Sequence, residues 1–135
     1  MKSNVIFWLR LSYWVGAIID LLACLTMVFP ALFAINNRLA DFAPGLEYRY
    51  AMGMGAPLMF AWTILLLWAD RKPLERKGIL PITLLVIIGE AVNEIVGVQN
   101  GFIPAGVIIV IGVLQVLLFG FFSFSYLNAG KVQTT

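Results

Sequence analysis

Apolar residues fill four long stretches of the chain, at about residues 11–35, 50–69, 79–98 and 102–127, and most charged positions gather between them. Each stretch reaches the ~20 mainly apolar residues that a helix needs to cross the hydrocarbon of a bilayer. The intervening segments read NNRLADFAPGLEYR, DRKPLERKG and QNG, with the Gly, Pro, Asn and charge expected where a chain leaves that layer. The pattern predicts an all-α membrane protein. It is a four-transmembrane-helix bundle, with residues 1–135 as one domain and no internal repeat or soluble appendage.

Composition agrees. The chain is 61% hydrophobic and 12% charged, with a mean hydropathy of +0.95, far from an average soluble domain. A formal charge of +2, without a basic run interleaved with aromatics or a phosphate-binding glycine loop, excludes nucleic acid as a partner. Lys and Arg are unevenly placed. Lys2, Arg10, Arg71, Lys72, Arg76, Lys77 and Lys131 fall at the amino end, the second connection and the carboxyl tail, against Arg38 and Arg49 in the first connection and none in the third. This bias predicts that both termini are cytoplasmic. Trp8, Trp14, Tyr48, Tyr50, Trp68 and Tyr126 lie near span ends, where amphipathic rings favour the headgroup level, while Trp62 lies deep.

Chemistry narrows next. With no histidine and a single cysteine, Cys24, an internal disulfide is excluded and the usual zinc, haem and general-base arrangements lose their commonest residue. No metal and no cofactor is expected. LLAC at 21–24 faintly matches a lipoprotein cleavage site, but the apolar run continues through Cys24 and Asp20 would interrupt a signal's apolar region, so an uncleaved first span is expected. Pro30 and Pro57 fall toward the outer side, where kinks would open the bundle; the plainer reading, that prolines are common in membrane helices, is preferred.

Against this background the segment LLVIIGEAVNEIVGV, residues 84–98, is the exception. At 3.6 residues per turn Glu90, Asn93, Glu94 and Gly97 share one stripe, which should face protein. Asp20 in the first span shares a face with Tyr13, Gly16, Ala17, Cys24 and Met27, and Gln115 in the fourth lines up with Ile111, Phe119 and Tyr126. At 1.5 Å per residue, Asp20, Glu90 and Gln115 lie roughly 13, 17 and 14 Å from the cytoplasmic ends of their spans, with Glu94 about 6 Å beyond Glu90. The expected ligand- or proton-binding set is therefore Asp20, Glu90, Asn93, Glu94 and Gln115. Met59, Trp62, Thr63, Phe119 and Tyr126 are expected to line the same pocket. The Gly97/Gly101 spacing suggests a tight exit turn in preference to a dimer seam, and the methionines of YAMGMGAPLM suggest adaptable filler before a soft-metal site.

No Lys or Arg lies deep inside a span to pair with these acids. Unpaired carboxylates in hydrocarbon stay protonated, line water, or hold a cation supplied from outside. Neutral interhelical hydrogen bonds would also explain buried polar groups, but at about 0.6–2 kcal/mol each one Asn or Gln would serve, and three acids exceed that need. The leading expectation is binding or transport of a small cation or a cationic or amphipathic molecule with proton exchange, in a protein more suggestive of a binder than an enzyme. Two alternatives stand beside it. One is a lipid- or isoprenoid-binding protein or isomerase using a buried acid, with Trp62 or Tyr126 stabilising positive charge. The other is an accessory subunit docking other membrane proteins. The bilayer and a small ligand are the expected partners, with a homo-oligomer left open.

The run YWVGAIID, FPALFA and YRYAMGMGAPLMFAWTILLLWADRKPLERKG resembles small four-helix membrane proteins of prokaryotes over most of the chain. That resemblance implies a prokaryotic cytoplasmic membrane and the architecture, but no activity. In architecture the chain is also similar to EXPERA-type proteins, four- or five-helix bundles whose buried acids serve sterol isomerisation or ligand binding. Asp20, Glu90 and Trp62 supply comparable residue types, though the specific motifs of that family are not visible. Small multidrug transporters share the length, span count and a membrane carboxylate but not the paired acids, and their dual-topology members need a weaker charge bias than seven against two.

Overall fold

The computed structural model describes residues 2–133. Five helices follow one another: α1 (Lys2–Val28), α2 (Pro30–Asn36), α3 (Leu46–Asp70), α4 (Ile79–Gln99) and α5 (Ala105–Gln133). No strand occurs among the described residues. Helices α1, α3, α4 and α5 are each long and apolar enough to cross a membrane. The shortest, α4, with 21 residues, rises roughly 31 Å, matching the ~30 Å hydrocarbon core. Their outer faces are apolar and bare: Leu58, Val116 and Leu117 are 70%, 72% and 65% exposed. In water such a surface would drive aggregation, whereas hydrocarbon matches it. The chain is an integral membrane protein, a four-span helical bundle.

Two boundaries differ from the sequence expectation. Helix α1 begins at Lys2, well before residue 11, because no breaker interrupts the polar amino end and Arg10 is neutralised from a neighbour. The side chain of Lys2, counted in the charge bias, lies outside the described residues. The same span does not continue to residue 35. Phe29 adopts extended backbone (φ −112°, ψ 96°), and Pro30 takes the first position of α2, where its missing N–H costs nothing. Pro57, by contrast, is accommodated inside α3. Helix α4 closes on Gly101, whose φ of +70° places it in the left-handed region. Its N–H reaches Val98 O and that of Phe102 reaches Gly97 O, both at 2.9 Å, the paired bonds of a Schellman cap. The glycine spacing is thus used by an exit turn, with Ile103 folding back so closely that a Cβ on Gly97 would meet it at 3.0 Å.

The helices associate as two pairs. Helix α1 packs along α3, with buried small residues Ala17, Cys24, Ala56 and Ala69 on the two helices allowing close approach, and α4 packs along α5. Contact between α1 and α5 joins the pairs at the end that carries both termini and the 71–78 connection. There Leu9, Tyr13, Leu66, Leu80, Phe122 and Ala129 form the core, all essentially inaccessible. Polar bonds reinforce this junction. Ser12 donates to Ser125 at 2.8 Å, Trp62 Nε1 donates to Thr83 Oγ1 at 3.2 Å, and the Tyr13 hydroxyl reaches Pro73 O at 3.0 Å. Within the α1/α3 pair Arg10 grips Asp70 through Nε and Nη2 at 2.8 and 3.0 Å, and Trp14 adds an N–H at 3.3 Å. Toward the distal end small and polar positions line the space between the pairs: Gly16, Asp20 and Ala23 on α1, and Glu90, Asn93 and Gly97 on α4. The pairs stand apart there and leave a cleft.

Candidate functional site

The cleft has a volume of about 900 Å³ and is walled by α1, α4 and α5, with α2 and the 100–103 turn at its distal end. All five residues expected to bind a ligand or proton border it. Asp20 projects from α1 and is only 8% exposed, and its Oδ2 is buried without a hydrogen-bond partner. Glu94, half-buried on α4, has an equally orphaned Oε2. Gln115 approaches Glu94 from α5 but closes no well-formed hydrogen bond onto that oxygen. Glu90 lies between the other two acids, close enough to interact electrostatically with Asp20 across the cleft and with Glu94 on its own helix. Glu90 and Asn93 are exposed to the open space.

The electrostatic character of the cleft follows from what surrounds these groups. No Lys or Arg lines it; its other walls are mainly aliphatic, with Phe33, Phe102 and Phe122 as rings. A carboxylate oxygen buried without a donor forfeits a desolvation cost of about 1–3 kcal/mol or more, so the arrangement is high in energy when ionised and empty. Among the described residues no group of three or more His, Cys, Asp or Glu side chains could hold a metal ion. The acids form a column along the cleft, not a compact coordination shell.

The expected pocket-lining residues Met59, Trp62, Thr63, Phe119 and Tyr126 do not border this cleft. Helix α3 turns toward α1 throughout the distal half, so Met52 is its sole contribution to the lining. Trp62 instead packs against the junction core and bonds Thr83, and the Thr63 hydroxyl returns to Met59 O at 3.0 Å. On α5 the face presented to the cleft runs through Gln115, Leu118 and Phe122. Phe119 is rotated away toward lipid, 39% exposed, and Tyr126 lies below the cleft against the junction.

The sequence reading also passed over the distal rim. Asn36, Asn37 and Asn100 bring amides to the mouth, and Asn37, 5% exposed, donates to Phe33 O at 3.0 Å. Above them Phe33, Phe42 and Tyr48 cluster with ring centroids 5.0–5.3 Å apart, and Phe102 joins from the other helix pair at 6.3 Å from Phe33 and Phe42. These residues occupy the connections and the helix ends beside them, where polarity reads as exposure. The signal that would have found them is the coincidence of amide doublets with aromatics at span ends.

Asn93 and Gln115 can be separated by experiment. Gln115, 9% exposed between helices, should behave as a packing residue: Gln115→Leu should lower stability by about 1 kcal/mol in detergent unfolding, the scale of a polar contact between membrane helices. Asn93, facing open space, should tolerate Leu with no measurable change in unfolding midpoint. Equal losses for the two variants would place Asn93 in the packing instead.

Comparison with protein-family models, with curated proteins and with solved structures returns no match, so the functional reading rests on the geometry of this cleft.

Proposed function

We propose that the cleft binds a cationic amphipath, taken up in exchange for protons held by Asp20, Glu90 and Glu94. The observation that carries this reading is the pair of buried, partnerless carboxylate oxygens, on Asp20 and Glu94, in a space that no Lys or Arg enters. A positive group placed between them would supply the missing counter-charge. The aliphatic walls and the rings of Phe33 and Phe102 suit an apolar body attached to that charge. A bare, strongly hydrated cation fits less well, because the acids form no compact coordination shell. The enzymatic alternative would draw on Trp62 or Tyr126 to stabilise positive charge, and both rings stand outside the cleft. Docking of an accessory helix would call for a polar stripe turned to lipid, whereas Glu90 and Asn93 face the cleft.

The test is equilibrium dialysis of the purified protein in detergent against tetraphenylphosphonium, a permanent cation with an apolar shell. Saturable binding that Asp20→Asn weakens at least about tenfold, a difference of ~1.4 kcal/mol, supports the proposal. Equal retention of a neutral analogue of the same shape would overturn it.

The charge bias supports an orientation with the end bearing the termini on the cytoplasmic side, in which the cleft opens toward the opposite leaflet. Asp41 and Glu75 are exposed at opposite ends of the bundle. In intact cells an impermeant maleimide should label Asp41→Cys and spare Glu75→Cys. The reverse pattern would invert the orientation.

A further inference from the structure

A second cavity, of about 610 Å³, lies beside the cleft in the distal half, between the α1–α2 break and α3, with Met52 bordering both. Its shape follows from small residues. Gly53, Ala56 and Pro57 present little side chain on α3, and the chain turns away at Phe29 and Pro30, so the two helices leave a groove where bulkier residues would have met. Cys24 and Met27 line it from α1, with Met27 Sδ only 3.2 Å from where a Cβ on Gly55 would lie. Gly53, Pro57, Phe60 and Val28 are exposed, so the groove opens on the surface that faces lipid.

One charged group borders this groove: Arg49, exposed in the first turn of α3. Among the described residues neither ion pair includes it. From Arg49 to Phe60 the helix rises roughly 16 Å. One leaflet contributes about half of the ~30 Å hydrocarbon core, so the groove spans a leaflet, with its cation at the headgroup level and its apolar floor near the midplane. Tyr48 and Tyr50 beside Arg49 are consistent with that depth.

We infer that this groove is a binding site for an anionic phospholipid, with one acyl chain lying along Gly53, Ala56 and Pro57 and the phosphodiester against the Arg49 guanidinium. Charge complementarity selects the occupant. A guanidinium offers a forked donor set matched to phosphate oxygens, and a net-anionic head avoids the second positive charge that a choline head would bring to Arg49. The acidic cleft is excluded for the same lipid, because its carboxylates would repel a phosphate. The two neighbouring cavities therefore take ligands of opposite charge.

Two variants separate the head from the chain. Arg49→Gln removes the charge, with Arg49→Lys as the conservative partner. Gly53→Leu fills the groove; a Cβ there meets nothing within 4 Å, and Leu is the better helix former, so the fold should stand. The measurement is native mass spectrometry of the purified protein, titrated with dipalmitoyl phosphatidylglycerol or dipalmitoyl phosphatidylcholine, with unfolding midpoints recorded for each variant. The parent should retain the glycerol lipid preferentially. Arg49→Gln should weaken that retention about fivefold, the worth of one interfacial cation, with Arg49→Lys recovering most of it. Gly53→Leu should abolish the preference without lowering the midpoint. Three results would overturn the proposal: equal retention by parent and both variants, competition by chainless glycerol 3-phosphate as effective as the full lipid, or a dimer lost on Gly53→Leu, which would make a second copy the occupant.

Discussion

Tetraphenylphosphonium should bind more tightly as pH rises from about 6 to 8, by up to ~tenfold per pH unit for each proton displaced, because cation and protons compete for the same carboxyl groups. The sign follows from mass action: fewer protons at higher pH leave fewer to remove. The titratable groups facing the cleft are Asp20 from α1 and Glu90 and Glu94 from α4; α2, α3 and α5 contribute none to its lining. Changing Glu90 and Glu94 together to Gln keeps the shape of the side chains while removing two of these three acids. Affinity should fall at least about 100-fold, since taking one partner from a desolvated ion pair costs ~3 kcal/mol or more. The remaining pH dependence should shrink to that of Asp20 alone. The variant should fold as the parent does, because among the described residues neither carboxylate is in an ion pair and Gln keeps the side-chain volume. Affinity independent of pH in the parent would point to a neutral lipid ligand and sink the exchange reading.

The largest effect on stability should come from Gly16→Leu. Gly16 lies where α1 meets α3 and α5 at the floor of the cleft: a Cβ there would stand 3.0 Å from Leu66 Cδ1 and 3.3 Å from Phe122 Cζ. Leu66 and Phe122 are themselves fully packed, so a leucine at 16 can be housed only by moving two helices of the junction. Overpacking of this kind costs about 1–3 kcal/mol, and the upper end is expected because the clash is with both helix pairs at once. Gly112→Leu is the control, since a Cβ at 112 meets nothing within 4 Å. Unfolding midpoints in detergent would measure both. Equal midpoints for the two variants would show that the junction is looser than its packing implies.

How far the sequence reached depended on the range of the physics involved. The membrane class, the four spans and the start of α4 at Ile79 are written in local hydropathy, because each helix satisfies its own backbone in lipid without help from its neighbours. The shared face of Glu90, Asn93 and Glu94 is equally local, a consequence of 3.6 residues per turn. Even the depths of Asp20 and Gln115 follow from counting residues along a helix. Which helix lies beside which is not local. That α1 pairs with α3 and α4 with α5 depends on how small residues such as Gly16 and Ala56 fit side chains far away in the chain, and hydropathy is blind to that fit because lipid and leucine are equally apolar. The pairing alone decided that Asp20 faces Glu90 across open space. It also turned Trp62 and Thr63 away from the cleft, brought Asn36, Asn100 and Phe102 to its rim, and left a groove at Arg49 between a helix break and a run of small residues.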